Sequence, residues 1–583
     1  MPLNDRLADT NLTRLNRRNF LAQLAGAGVL LGIRNATGPS QAHGAAARRA
    51  PRIVNIYNFV RNSDPRLANS EDFLFAATVH QFKLVRQLNL PCTFALQYDA
   101  LINPRYQRLF KTAPALRTEI GAWLEVPRAL VEKVGLPWRG PAKWAWDWHV
   151  DVDFTIGYAP DERIRIADAY MTEFKRVFGR FPATVGAWYI DEITLAHLSQ
   201  NYGIVASCNC KDQALTDGYT LWGGYWSQAY YPSQLNAYMP AQNHSAQIDV
   251  PIFRMLGSDP IYQYQENIGG DGQEVMTLEP CSPGGRSAKW VDWFFNVVTR
   301  EPCLAFAYAQ AGQENSFGWS AMKQGLEYQL PMIVRLARAG IIQVETLEQS
   351  GRWFRKSFTT TPATSVVAMH DWQHQGRKTV WYDTRYFRVN FYWHGNDFKV
   401  RDIHLFNENV RSPYHRKVAE TSDMAVYTLP VIDGFLWSPP QGHKPRAGIR
   451  LVAMDAKGVR VPLAMDGNPA VIALHDRDLH IRFKIRQGGT MNIVCREGQL
   501  AFYLRRTSGS TLKWAMEMIW STAHRTGIGR NTINKLYYNN QGVNYALALE
   551  KGTVVRPDAA LRTVLFMPQR DAVVMALRAK LIR

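Results

Sequence analysis

From about residue 50 to about residue 360, apolar runs of strand length alternate with amphipathic helical stretches. The strand-like runs cover residues 53–59, 92–98, 120–126, 185–190, 204–207, 250–256, 304–309 and 341–344. Helical periodicity, with apolar residues every three or four positions, fills 71–88, 160–178, 289–298 and 320–338. Continuous apolar runs suit strands buried on both faces, and their alternation with helices predicts parallel strands with crossover connections. Seven or eight such units predict a (β/α)7-8 barrel. After Thr361-Pro362 the period changes to short alternating segments at 380–390, 449–454, 471–474, 479–485 and 490–494, with turn signals between them. That pattern predicts a β-sandwich-type C-terminal domain. The tail, 501–583, mixes a helical pattern over 512–523 with further strands. The expected fold class is therefore α/β, with an N-terminal segment 1–47, a (β/α) barrel over 48–362 and a β-rich domain over 363–583.

In a barrel of this kind, function gathers on the loops after the strands' C-terminal ends. Those ends read Asn58 and Arg61, Gln97 and Asp99, Trp123 and Glu125, Asp191 and Glu192, Asn209 and Asp212, Arg254 and Asp259, and finally Tyr308, Gln310, Gln313 and Glu314. Two carboxylates in one cleft are the minimum machinery for glycosidic hydrolysis, one donating a proton and one attacking or activating water. Asp191 and Glu314 are the expected catalytic pair, and Glu125 competes for either role. The structural alternatives are a helix N-cap for Asp191 and a first-turn helix charge for Glu314.

Residues 211–241 lack apolar periodicity but hold Asp212, Gln213, Asp217, Trp222, Trp226, Tyr230 and Tyr231. Aromatic rings can stack on sugar faces, and amides and carboxylates can bind hydroxyls. Substrate-binding roles are thus expected for Glu125, Asp212, Gln213, Asp217, Trp222, Tyr231, Arg254 and Gln313, the alternative for the rings being packing within the loop. Arg254 either binds a substrate carboxylate bidentately or holds a neighbouring acid. Asp147-x-His149-x-Asp151-x-Asp153 would put four ligands on one strand face, against the alternative of an exposed loop. The site reading carries no metal and no cofactor.

A formal charge of +19 over 583 residues changes the picture of partners. Residues 1–47 carry five Arg against two Asp, and the last 83 residues carry 13 Lys and Arg against four acids. Such a balance favours anionic partners. With no nucleic-acid motif and no block of five basic residues, the expected partner is a carbohydrate, acidic or neutral, and not nucleic acid. Six Cys occur, of which Cys281 with Cys303 is a conceivable pair in an oxidising compartment; buried free thiols are the default.

Arg17-Arg18-Asn19-Phe20-Leu21, a modest apolar run over 24–33 and small residues near 40–46 resemble a twin-arginine export signal. This implies the twin-arginine export machinery as a partner, a periplasmic or secreted location and no stable membrane insertion, since the apolar run is too short to span a bilayer. The strand-terminal acids, the Thr361-Pro362 that follows Val344-Glu345-Thr346 and the β-rich second half resemble the deacetylase-like (β/α)7 barrel superfamily. That superfamily includes polysaccharide deacetylases and glycoside hydrolase families 38 and 57. The resemblance covers roughly residues 50–365 and is one of layout. It implies a nucleophile after the fourth strand, matching Asp191, and an acid after the seventh, for which Glu314 is nearest. The metal motifs of the deacetylases and mannosidases are absent, since the first strand ends Tyr57-Asn58-Phe59. The expected function is an exported glycoside hydrolase. A polysaccharide lyase using Arg254 and Tyr231 on uronates, and a non-catalytic envelope carbohydrate-binding protein, are the alternatives.

Overall fold

The computed structural model describes residues 50–582 apart from 115–116, 265–274, 425, 440–445, 475–476, 522–526 and 559–561. The twin-arginine segment lies outside the described residues. Ala50–Arg583 forms one compact unit.

All eight expected parallel strands form: β1 (Arg52–Val60), β2 (Cys92–Leu96), β3 (Thr118–Trp123), β4 (Thr184–Gly186), β5 (Ala206–Asn209), β6 (Ile252–Arg254), β7 (Ala307–Ala311) and β8 (Gln343–Glu345). The sheet runs β7-β1-β2-β3-β4-β5-β6, and β8 also pairs β1, at Ile53–Asn55. Each residue of β1 to β5 is buried, which explains the unbroken apolar runs. The expected closed barrel is not observed. Among the described residues β6 and β7 share no ladder, and the free side of β6 is taken by the antiparallel segment Ala229–Tyr230. The result is a curled, open half-barrel.

The crossover helices stop and start where local chemistry dictates. Pro160–Phe178 opens with Pro at its first turn beside Asp161 and Glu162, and ends on Gly179 at φ 74°, a left-handed position that favours glycine. Ala288–Arg300 is capped by Ser287, whose hydroxyl accepts from the Trp290 amide at 3.3 Å. No described helix is long and apolar enough to cross a membrane.

Beyond Thr364 the chain forms a ten-stranded and an eight-stranded antiparallel sheet. Their apolar faces meet through Phe391 and Phe502 (6.5 Å between ring centres), Trp393 and Phe483 (6.2 Å) and Phe398 and Phe483 (5.1 Å). The helical pattern expected over 512–523 is a strand, Trp514–Ile519, paired on one side with Gly448–Met454 and on the other with Thr563–Met567. Two flanking ladders supply hydrogen bonds that override a weak helical propensity.

The two halves are joined by buried ion pairs. Asp212 accepts from Arg254 at 3.0 Å and also from Arg388, which donates to both oxygens of Asp402 at 3.0 and 2.8 Å. All four side chains are fully or almost fully buried. Gly223 sits at φ 89°, and a Cβ there would meet His404 Nδ1 at 2.5 Å, so this crossing of the two halves requires glycine.

Candidate functional site

β1 is buried throughout and delivers Arg61 one residue past its end, with 2% of the residue exposed. A guanidinium buried there needs carboxylates, because an unpaired buried charge costs several kcal/mol. Glu125, two residues beyond β3, supplies both oxygens. Arg61 Nε donates to Oε2 at 2.7 Å and Nη2 donates to Oε1. Gln97, immediately after β2, adds a third hydrogen bond from Nε2 to Oε2 at 2.6 Å. Arg61 Nη1 donates to Glu314 Oε2 at 2.7 Å, and Ser316 Oγ donates to the other oxygen. The ends of three strands and the loop after a fourth thus converge on one guanidinium. Two 2.7 Å bonds and the roughly 2.3 Å between guanidinium nitrogens hold the bonded Glu125 and Glu314 oxygens within about 8 Å of each other.

Burial pushes the Glu314 carboxyl above its ordinary range, with Arg61 and Ser316 pulling only partly the other way. Burial, reinforced by the charge of Glu125, lifts Asp153 well above its ordinary value. Asp99, which accepts from the Asn62 and Ser63 amides at 3.1 Å and so shapes the loop after β1, is pushed up to about 7 by burial.

Aromatic rings border the cluster. Trp146 lies between Arg61 (4.2 Å) and the exposed Arg66 (5.3 Å), and its Nε1 donates to Asp153 at 2.8 Å. Trp148 also faces Arg66, at 5.1 Å. On the other side Phe59 stacks on Trp123 at 4.1 Å and meets the half-buried Trp188 edge-on. Gln97 Oε1 and Trp123 Nε1 are buried with no protein partner among the described residues.

Several expected site residues lie elsewhere. Asp191 is fully buried and caps the helix Glu192–Tyr202. Its carboxylate accepts from the Ile193 and Thr194 amides at 3.0 Å, Thr194 Oγ1 at 2.6 Å, Thr155 Oγ1 at 2.5 Å and Arg163 Nη1 at 3.2 Å. It shares no hydrogen-bond partner with Glu314 among the described residues, and it serves as the cap of the helix Glu192–Tyr202. Burial alone would raise this carboxyl, but Arg163 and the hydroxyls outweigh it and hold it below the usual range. A depressed carboxyl stabilises the fold above its unfolded value, about 3.9, and that contribution fades as pH falls through the lower folded value. Asp191→Asn is expected to cost about 1.5–3 kcal/mol at neutral pH. Urea midpoints of the two proteins, compared from pH 7 downward, should converge in acid; a gap that stays constant would rule this assignment out.

The aromatic loop is also not a sugar platform. Trp222, Trp226 and Tyr231 are 3%, 2% and 3% exposed. Trp222 Nε1 donates to Asp433 at 2.8 Å, Trp226 stacks on Trp381 at 4.2 Å, and the Tyr231 hydroxyl donates to the Phe358 carbonyl at 2.9 Å. Trp222 and Trp226 pack between the half-barrel and the antiparallel sheet, and Tyr231 packs within the half-barrel against Phe354. Asp212 and Arg254 belong to the ion-pair junction, and Arg254 Nη1 is further spent on the Tyr225 carbonyl at 2.9 Å. Asp217 is an exposed turn residue at φ 49° between two short strands. Gln213 accepts from Lys211 at 3.3 Å. Gln313 does border the carboxylate site: its Oε1 accepts from the Glu314 amide at 2.8 Å and its Nε2 donates to Glu279 at 2.5 Å.

Asp147–Asp153 does not align four ligands, because Val150–Asp153 is a helical turn and Asp147 is spent on the His149 backbone and ring. Asp402, His404 and Asp433 do lie within metal-ligating reach of one another, but Arg388 already neutralises Asp402. All six cysteines are free thiols, so Cys281 and Cys303 are not bridged.

Trp146 was not expected in the site; Arg61 was expected only as a strand-end residue without a role, and Asp153 only as a candidate metal ligand. The signal for Arg61 is its position, a cation directly after nine buried residues, which can only be accommodated by acids from neighbouring strand ends.

No protein-family model and no curated protein matches this chain. Solved structures with a similar course include a protein from Parabacteroides distasonis described as a glycoside hydrolase/deacetylase: 14% identity over 63% of this chain and 88% of that one, TM-score 0.47. A polysaccharide deacetylase from Mycobacterium smegmatis shares 12% identity over 54% and 95%, TM-score 0.33. A 4-alpha-glucanotransferase from Thermococcus litoralis shares 9% over 92% and 98%, TM-score 0.28. At TM-scores this low the likeness says nothing of activity.

Proposed function

We propose that this chain is a carbohydrate-active enzyme, most simply a retaining glycoside hydrolase, with Glu314 as proton donor and Glu125 as its carboxylate partner. The observation that carries the reading is the pair of strand-end carboxylates held on Arg61 at no more than about 8 Å, a ceiling that admits both the retaining and the inverting separations of glycosidases. Glu314, raised by burial, suits a proton donor; Glu125 is the second carboxylate that Arg61 holds beside it, which leaves it the attacking role. In the first step the Glu125 oxygen bonds to the anomeric carbon as the glycosidic bond breaks, and the Glu314 proton goes to the departing oxygen. Water then replaces Glu125 at that carbon, giving its proton back to Glu314. Arg61 is a positioning residue that keeps the two acids in register. Gln97 Oε1 and Trp123 Nε1 would take sugar hydroxyls, and Trp188, Trp148 and Arg66 are the groups a sugar ring would meet first from solvent.

The lyase reading loses its residues here, because Arg254 and Tyr231 are occupied by internal partners. The test is product chemistry on a panel of neutral and acidic polysaccharides. Saturated fragments with new reducing ends are expected. Unsaturated fragments would replace hydrolysis by elimination, and binding without any cleavage across the panel would replace it by the binder.

A further inference from the structure

The antiparallel half holds a cavity of about 490 Å³, lined by none of the residues of the carboxylate site. Among the described residues its wall carries five cations, Arg377, Lys399, Arg401, Arg446 and Arg450, and one acid, the exposed Asp397. Lys399 and Arg401, both on the strand Asp397–Leu405, line the cavity together. Arg450 is balanced by Glu517 at 2.6 Å, but Lys399 and Arg401 have no ion pair among the described residues. Arg401 is 4% exposed and donates instead to neutral groups, Asn390 Oδ1 at 2.7 Å and the Ile261 carbonyl at 2.8 Å.

Burial, and then the charges of Arg401 and Arg446, push the Lys399 ammonium down to about 8. Tyr264 and Tyr392 face Arg401 at 4.4 and 4.1 Å, fixing the guanidinium between two rings. A cavity of this volume is in the range of small-molecule sites and far larger than one phosphate. Phe398 and Leu463 add apolar wall that an inorganic ion would leave unused.

We propose that this cavity binds the anionic group, carboxylate or sulfate, of an acidic saccharide, which makes the substrate class an acidic polysaccharide. The saccharide part rests on the function proposed above; the anion part does not. The overall charge of +19 would favour approach of such a polymer.

Calorimetric titration of the purified full chain tests it, with a hexuronate oligosaccharide, a neutral oligosaccharide of equal length and inorganic phosphate as probes. The Glu314→Gln variant, which the function reading makes inert, should bind the hexuronate as wild type does. Lys399→Gln should weaken hexuronate binding at least tenfold, while Lys399→Arg restores it and shows that the fold survives. The neutral oligosaccharide should not compete, and phosphate should compete only weakly. Unchanged affinity in Lys399→Gln, equal binding of the neutral chain, or binding of phosphate without hexuronate would each overturn the proposal. Absence of hydrolysis on every polysaccharide would remove the function reading but leave this binding result standing.

Discussion

Glu314→Gln is expected to lower turnover by about a hundredfold to ten-thousandfold, with a smaller stability loss of about 1–3 kcal/mol because Arg61 keeps Glu125. The amide is close in shape, and its single oxygen can still accept from Arg61, while the Ser316 hydroxyl loses its acceptor and must turn to accept from the new NH2. The amide cannot donate an acidic proton, and general acid catalysis contributes about 10² to 10⁴ in rate. Glu125→Gln should cost at least as much, because it removes the attacking oxygen while its fold partners, Arg61 and Gln97, keep an acceptor. The loss should fall on kcat and kcat/KM together, as for an interaction made in the transition state. Both rates are read from reducing-end release at saturating substrate. Near wild-type kcat in either variant would remove that residue from the mechanism.

The largest stability effect should come from the junction of the halves. Asp212→Ala takes the acceptor from two buried guanidiniums, Arg254 and Arg388, and only Arg388 retains a second carboxylate, Asp402. Removing one member of a buried ion pair typically costs 3–5 kcal/mol, and the variant should unfold at clearly lower urea concentration by about that amount. The folded fraction should keep its KM, since Asp212 touches no residue of the carboxylate site. A raised KM with unchanged stability would instead return Asp212 to a substrate-binding role.

Much of the half-barrel is legible in the sequence because parallel strands buried on both faces leave apolar runs, and β1 to β8 each fall on one. What the runs do not carry is closure: β6 and β7 are both apolar, yet the side of β6 is filled by Ala229–Tyr230, a pairing that no local pattern announces. The aromatic loop shows a second limit. Trp and Tyr serve equally for stacking on a sugar and for filling the space between two sheets, and the choice depends on partners far away in sequence. Trp222 finds Asp433, 211 residues later, and Asp212 finds Arg388, 176 residues later. Asp191 and Glu125 both follow strands and look alike in sequence. They differ in setting: Asp191 caps the helix Glu192–Tyr202 and pairs with Arg163, whereas Glu125 pairs with Arg61, which also holds Glu314.

The central claim is that Glu125, and not Asp191, is the carboxylate that acts on the sugar opposite Glu314. Chemical rescue with azide measures this directly. Glu125→Ala opens space at the anomeric carbon, so added azide should restore part of the lost turnover and yield a glycosyl azide detectable by mass spectrometry. Wild type should form none. Undiminished turnover by Glu125→Ala, or a glycosyl azide formed by Asp191→Ala and not by Glu125→Ala, would contradict the account.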